Sequence, residues 1–283
     1  MAQVINTNVM SLNSQRVLMN SQSSMATSLE RLSSGLRINR AKDDAAGLAI
    51  SQRFTSQIRG LEQANRNAND GISLLQTAEG ALDEVANMLQ RMRELGVQAM
   101  NGTVSASDRN SLNDEYSELK AEIDRIFDST EFNGTNLLGT TNSLTMQVGF
   151  KAGGSYQIKI STFNMASRTY AGGGVSFVIN TVAANAISTV TKASAMISKL
   201  DAAINNISAK RADFGAKQNR LEATVRNNAN VIENQSAARS RVMDADFAAE
   251  TANLTRSQIL QQAGTAMLAQ ANQLPQNVLS LLR

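Results

Sequence analysis

From Ile197 to Ile232 one pattern repeats without a break. Ile197, Leu200, Ile204, Ile207, Arg211, Phe214, Gln218, Leu221, Val225, Asn228 and Ile232 are separated by alternating steps of three and four. That is the spacing of a heptad seam, in which successive turns bring the same stripe of a helix against a partner. Extended to its natural limits, at about residues 187 and 242, a helix rising 1.5 Å per residue is roughly 80 Å long. A compact globule cannot enclose it. The chain is therefore expected to be mainly α, with long antiparallel, coiled-coil-like helices forming a rod.

Two further stretches match this length scale. Phe54, Leu61, Ala68, Leu75, Leu82, Leu89 and Gly96 fall seven apart, and Ile58, Ala64, Ile72, Ala78, Val85 and Met92 widen the stripe. A helix from about Asp44 to Ala99 follows, and NGTVSAS breaks it. Leu112, Tyr116, Leu119, Ile123 and Ile126 begin a shorter one. The N-terminal seam Ile5, Asn8, Leu12, Gln15, Met19, Gln22, Ala26 and Leu29 ends near Gly35, a good helix C-cap. The C-terminal seam is Leu260, Gly264, Met267, Ala271, Leu274, Val278 and Leu281.

Between these helices, from about 131 to 181, the texture is that of a small β-hairpin region. EFNGTNLLG reads as loop. Leu144, Met146, Val148 and Phe150 alternate, as do Tyr156, Ile158 and Ile160 across KAGGS, which predicts a hairpin. Ser176–Ile179 is a further candidate strand.

Composition narrows the function. The chain has 283 residues, 42% hydrophobic but only 4% aromatic, with no cysteine and no histidine. Disulfides, the usual zinc, copper and iron sites, a histidine-based triad and a cysteine nucleophile are thereby excluded. A net charge of +3 without a basic stripe argues against nucleic-acid binding. Asp43/Asp44 and Asp244/Asp246 sit at helix starts with no nucleophile or base nearby, so they read as helix caps rather than catalytic carboxylates. No catalytic residue, cofactor or metal is expected.

The two ends are unusual in another way. Neither Met1–Gln15 nor Ser257–Leu282 contains a charge, apart from Arg16 just beyond the first, while the helices between are rich in them. Interfacial membrane helices need a charged polar face, which these lack. No run of 18 apolar residues exists to span a bilayer, so no membrane insertion is expected. Uncharged helices carrying Gln, Asn and Ser suit burial against polar protein surfaces.

Four words are more specific than periodicity: LSSGLRINRAKDDAAGLAIS at 32–51, QRMRELGVQAMNGT at 90–103, EFNGTNLL at 131–138, and MDADFAAETANLTRSQILQQAGTAMLAQANQLPQNVLSLL at 243–282. In these the chain resembles bacterial flagellin over roughly 1–150 and 186–283, as a short form lacking the variable outer domains. The resemblance implies an inner-tube helical domain from residues 1–40 with 245–283, and a rod-like domain over 41–244.

It also implies a structural subunit that is secreted through the flagellar export channel and self-assembles into the extracellular filament for motility. Its partners would be other copies of itself, an export chaperone, and the cap and junction proteins. Ile5, Leu12, Met19, Leu260, Met267, Leu274, Val278 and Leu281 are the implied assembly seam. Arg91, Leu95, Gln98 and Glu115 match a patch by which an animal Toll-like receptor recognises flagellin monomers. The i, i+4, i+7 spacing places 91, 95 and 98 on one helix face. The alternative is that Leu95 and Gln98 pack neighbouring rods together. A hook–filament junction protein, or another self-assembling secretion-apparatus protein, is the alternative for the whole chain.

Overall fold

The computed structural model describes residues 7–140, 143–161 and 187–281. It is mainly helical: α1 (Val9–Ser34), α2 (Ala45–Ala99), α3 (Ala106–Ser129), α4 (Val190–Met243) and α5 (Phe247–Leu281). Four short strands, β1 (Glu131–Phe132), β2 (Thr135–Asn136), β3 (Ser143–Gln147) and β4 (Gln157–Ser161), form two antiparallel pairs. The chain divides into a unit of residues 1–58 with 233–283 and a second unit of 59–232. The candidate strand at Ser176–Ile179 lies outside the described residues.

In the first unit α1 and α5 pair antiparallel. Asn8 caps α1 by accepting from the Ser11 amide, and Gly35 ends it in the left-handed region at φ 71°, its N–H returning to the Arg31 carbonyl. The chain then forms a short bridge with the segment between α4 and α5. Arg37 N donates to the Met243 carbonyl at 2.7 Å, and Ala245 N to the Gly35 carbonyl at 3.0 Å. Asp44 opens α2 by accepting from the Gly47 amide, and Asp246 opens α5 by accepting from the amides of Ala248 and Ala249. The second aspartate of each acidic pair is thus a helix cap.

The α1–α5 seam differs from the heptad reading. Facing inward on α1 are Asn8, Ser11, Leu18, Ser21, Met25 and Ser28; on α5 they are Glu250, Ser257, Gly264, Leu268 and Ala271. Leu12 and Met19 are instead exposed, as are Leu260 and Met267. The reason is steric and polar. Small side chains let the two backbones approach, with Leu18 Cδ1 only 3.3 Å from where a Cβ on Gly264 would stand. The polar groups this brings inside find backbone partners: Ser21 Oγ donates to the Ser257 carbonyl, and Asn8 Nδ2 to the Ala271 carbonyl at 2.7 Å. Ile5 lies outside the described residues. Leu274, Val278 and Leu281 lie on α5 beyond its described side chains.

In the second unit α2, α3 and α4 enclose one apolar core. From Leu61 to Gly96 the sevenfold stripe of α2 is buried as expected, with Ala68, Leu75, Leu82 and Leu89 at its centre, while Phe54 is half-buried. On α4 the buried set is Ala193, Met196, Leu200, Ala203, Ile207, Phe214, Leu221 and Asn228. Every second predicted position holds, while Ile197 and Ile204 are half-buried and their neighbours Met196 and Ala203 turn inward. Ile197 is displaced toward α2, where Gly96 leaves room for it. Cross-links at Arg93–Asp201, Asp83–Arg211 and Asn65–Asn228 show α2 and α4 running antiparallel.

EFNGTNLLG is more ordered than a loop. Asn133 and Gly134, at φ 50° and 73°, both take the left-handed conformation that a tight two-residue hairpin demands, joining β1 to β2. The predicted β3–β4 hairpin pairs Ser143 with Ser161 through Gln147 with Gln157 and sends Ile158 and Ile160 into the core.

Candidate functional site

The surface of the first unit inverts the usual order of a helix pair. Serine, glycine and alanine occupy much of its interior, while the large apolar side chains stand outside. Met10, Leu12, Val17, Met19 and Leu29 on α1 and Phe247, Ile259, Leu260 and Met267 on α5 are all exposed, Met19 at 62% and Met267 at 60%. Two shallow depressions are built from them. One is lined by Val9, Met10, Leu12, Asn13 and Arg16, the other by residues of α5 between Ala248 and Leu260. Apolar area left in water at this density marks a surface that another molecule covers.

The pair has one buried ionic joint. Ser28 Oγ donates to Glu250 Oε1 at 2.7 Å, and Arg31 approaches the other carboxylate oxygen at 3.7 Å. A polar groove lined by Ser24, Thr27, Asn253 and Arg256 opens beside it. The sequence pointed to neither Ser28 nor Glu250. Their signal was available, since an acid in the first turn of a helix favours the positive end of its dipole.

The second candidate site lies where α2 and α3 meet in the second unit. Arg91 Nε donates to Glu115 Oε1 at 2.9 Å, and Arg91 Nη1 to Glu94 Oε2 at 3.1 Å. Those hydrogen bonds, first to Glu115, raise the proton affinity of Arg91 above its ordinary value, so it remains a cation. Gln98 is exposed two turns on from Arg91.

Leu95 is not part of this surface. It is fully buried in the core with Met92 and Ala99, which corrects its assignment as a contact residue. The spacing put it beside Arg91, but its side chain turns into the core of the second unit. Glu94, which the sequence reading missed, completes the exposed group in its place; its i, i+3 relation to Arg91 was the available signal.

Among the described residues no group of three or more acidic side chains is arranged to hold a metal, and no helix is long and apolar enough to cross a membrane.

A helix pair that buries its small residues and displays its large apolar ones marks an assembly subunit, finished by contact with other molecules. Comparison with known proteins gives its family. The bacterial flagellin N-terminal helical region matches residues 5–143, and the bacterial flagellin C-terminal helical region matches 197–282. The chain is 47% identical to a flagellin of Halalkalibacterium halodurans over 281 residues, covering 99% of this chain and 100% of that one. It is 47% identical to the flagellar filament 33 kDa core protein of Treponema phagedenis, again over 99% and 100% of the two. The chain belongs to the bacterial flagellin family. Among solved structures, a putative flagellar hook-associated protein from Vibrio parahaemolyticus covers 71% of this chain and 100% of its own at a TM-score of 0.60 and 15% identity, a likeness of fold alone.

Proposed function

We propose that the exposed apolar faces of α1 and α5 are where copies of this flagellin meet, so that the protein acts as the structural subunit of the extracellular flagellar filament. The observation that carries this is the inversion of the helix pair. Leu12, Met19, Leu260 and Met267 leave about half of their surface in water, and each gains about 1–2 kcal/mol once neighbours cover it. Few charges stand beside them, Arg16 near Leu12 and Arg256 near Leu260, which keeps the desolvation cost of covering these faces low. The export chaperone, cap and junction proteins are proposed to use these same faces before or at the ends of polymerisation. No catalytic activity is proposed. Nothing beyond a shared fold supports the hook–filament junction alternative.

On the free subunit, Arg91, Gln98 and Glu115 are proposed as contacts for an animal Toll-like receptor, with Leu95 holding α2 in place beneath them. Support comes from their exposure and from the fixed orientation that Glu115 and Glu94 give the Arg91 guanidinium.

The test of the filament reading is seeded polymerisation watched by electron microscopy. The parent protein is expected to form long tubes, and Met267→Glu to form none while keeping its helical content. Tubes of normal length from Met267→Glu would overturn the assignment of this face.

A further inference from the structure

The helices of the second unit carry opposite charge on their outer sides. α3 has seven acidic residues against three basic, whereas α4 from Val190 to Ile232 has seven basic against three acidic. These charges do not serve mainly to hold the unit together. The pairs that cross between helices run to α2: Glu115 to Arg91, Asp201 to Arg93, Arg211 to Asp83. Left on the outside are Asp114, Glu118 and Asp128 on α3, beside the Arg125–Glu122 pair, and Lys192 and Arg220 on α4, with Arg226 3.7 Å from Glu222; the net excess stays acidic on α3 and basic on α4.

We infer that the acidic face of α3 docks on the basic face of α4 in a second copy of this chain. The inference rests on the filament reading above. Complementary potentials of this kind orient an encounter and suppress wrong registers more than they add affinity. The geometry of the contact also suits the polymer. A face that met its own like would close a two-fold dimer and stop growth. An acidic face on one copy meeting a different, basic face on the next is heterologous, and a heterologous contact propagates into a helical array. Here like faces repel, so the dimer is disfavoured and the propagating contact favoured by the same charges. The apolar helix pair of the first unit then supplies the bulk of the binding energy, and this contact supplies its direction.

The experiment uses the full-length chain, seeded, at low ionic strength where exposed charges act at the longest range. Asp114→Lys with Glu118→Lys reverses one face, and Arg220→Glu with Arg226→Glu reverses the other. Each pair is expected to slow growth about tenfold or more, with much of the deficit removed at high salt. A chain carrying all four changes restores complementarity and is expected to grow within a few-fold of the parent. So is an equimolar mixture of the two reversed proteins, whose recovery a misfolded variant cannot produce. Parent-like growth by either reversed protein overturns the inference, as does failure of both the four-change chain and the mixture to recover. If the parent itself forms no tubes, the filament reading falls, and this contact with it.

Discussion

Ser28 on α1 donates its hydroxyl hydrogen to Glu250 on α5 across 222 residues of sequence, at 2.7 Å and away from solvent. Arg31 stands 3.7 Å from the same carboxylate, and the seam around them is made mostly of small uncharged side chains. Removing Glu250 leaves the buried Ser28 hydroxyl without its acceptor and Arg31 without its counter-charge, which costs about 1–3 kcal/mol. Glu250→Ala is therefore expected to loosen α1 from α5 while leaving the second unit intact. Hydrogen exchange on the isolated subunit checks this: faster exchange confined to α1 and α5 is the expected result, and uniform protection equal to the parent's contradicts it.

The Arg91–Glu115 pair predicts a separation of stability from recognition. Both side chains are about half exposed, so their attraction is largely screened and contributes little to folding. Arg91→Ala is expected to leave the melting temperature nearly unchanged and to weaken receptor activation by the monomer. Leu95→Ala should do the reverse in its first effect, costing about 2–5 kcal/mol of stability because it opens a cavity in the core. Thermal melts and a receptor-activation dose curve on the two variants separate these roles.

These two residues also show how far the sequence could be read. Seven-residue spacing locates α2 and α4 because their core stripe is apolar and continuous. The same logic misleads on α1 and α5, where large apolar residues and small polar ones both repeat at helical spacing. Periodicity identifies which residues share a stripe. It does not say which stripe faces a partner in the same chain and which faces another copy. Leu95 fails for a related reason: it is one turn from Arg91, but it falls on the core side of the boundary while Arg91 stands in solvent.

The start of α3 predicts a pH dependence. Ser105 and Asp108 form a reciprocal capping box, the serine accepting from the Asp108 amide and the carboxylate accepting from the Ser105 amide. The Ser105 hydroxyl, followed by its backbone N–H, holds the Asp108 carboxyl below its ordinary value. A carboxyl with a depressed folded pKa favours the folded state above its unfolded value, near 3.8, and loses that contribution as pH falls through the folded value. Acidification into the range below 3.8 is thus expected to fray the first turn of α3. An NMR titration following the Ser105 and Asp108 amides reads it directly, and Asp108→Asn should flatten the response.

The tip of the β3–β4 hairpin distinguishes three glycines. Gly153 sits at φ 133°, open to few residues but glycine, whereas a Cβ on Gly154 meets nothing within 4 Å. At Gly149 a Cβ would collide with the Tyr156 ring, which lies against Phe150 at a centroid distance of 6.1 Å. Gly154→Ala is expected to be tolerated, while Gly153→Ala and Gly149→Ala destabilise the hairpin. Asn228 adds a second handle, because its amide donates to both Asn65 and the Val148 carbonyl, where β3 enters the tip. Asn228→Ala should release that end too, at about 1–3 kcal/mol. Melting and amide exchange at Val148 and Ile158 measure all four variants.

The strongest expectation concerns the end of the chain. Between Ser257 and Leu282 there is no charge, and the described apolar side chains Ile259, Leu260 and Met267 are exposed. What binds α5 to α1 is a narrow seam of Ser257, Gly264, Leu268 and Ala271, which buries little apolar area compared with the core of the second unit. Ordering each residue of such a helix costs about 1–2 kcal/mol in backbone entropy, and isolated helices recover that cost only marginally. Neighbouring subunits must therefore supply much of the stability of this unit. Deleting 270–283 is expected to leave a soluble, helical subunit whose second unit melts as in the parent, and to abolish filament growth even on seeds. Limited proteolysis of the intact monomer should cut in α1 and α5 before α2, α3 or α4, and the same sites should become resistant in the filament. Filaments from the truncated chain, or equal resistance of all five helices in the monomer, would show that the α1–α5 pair is complete without its neighbours.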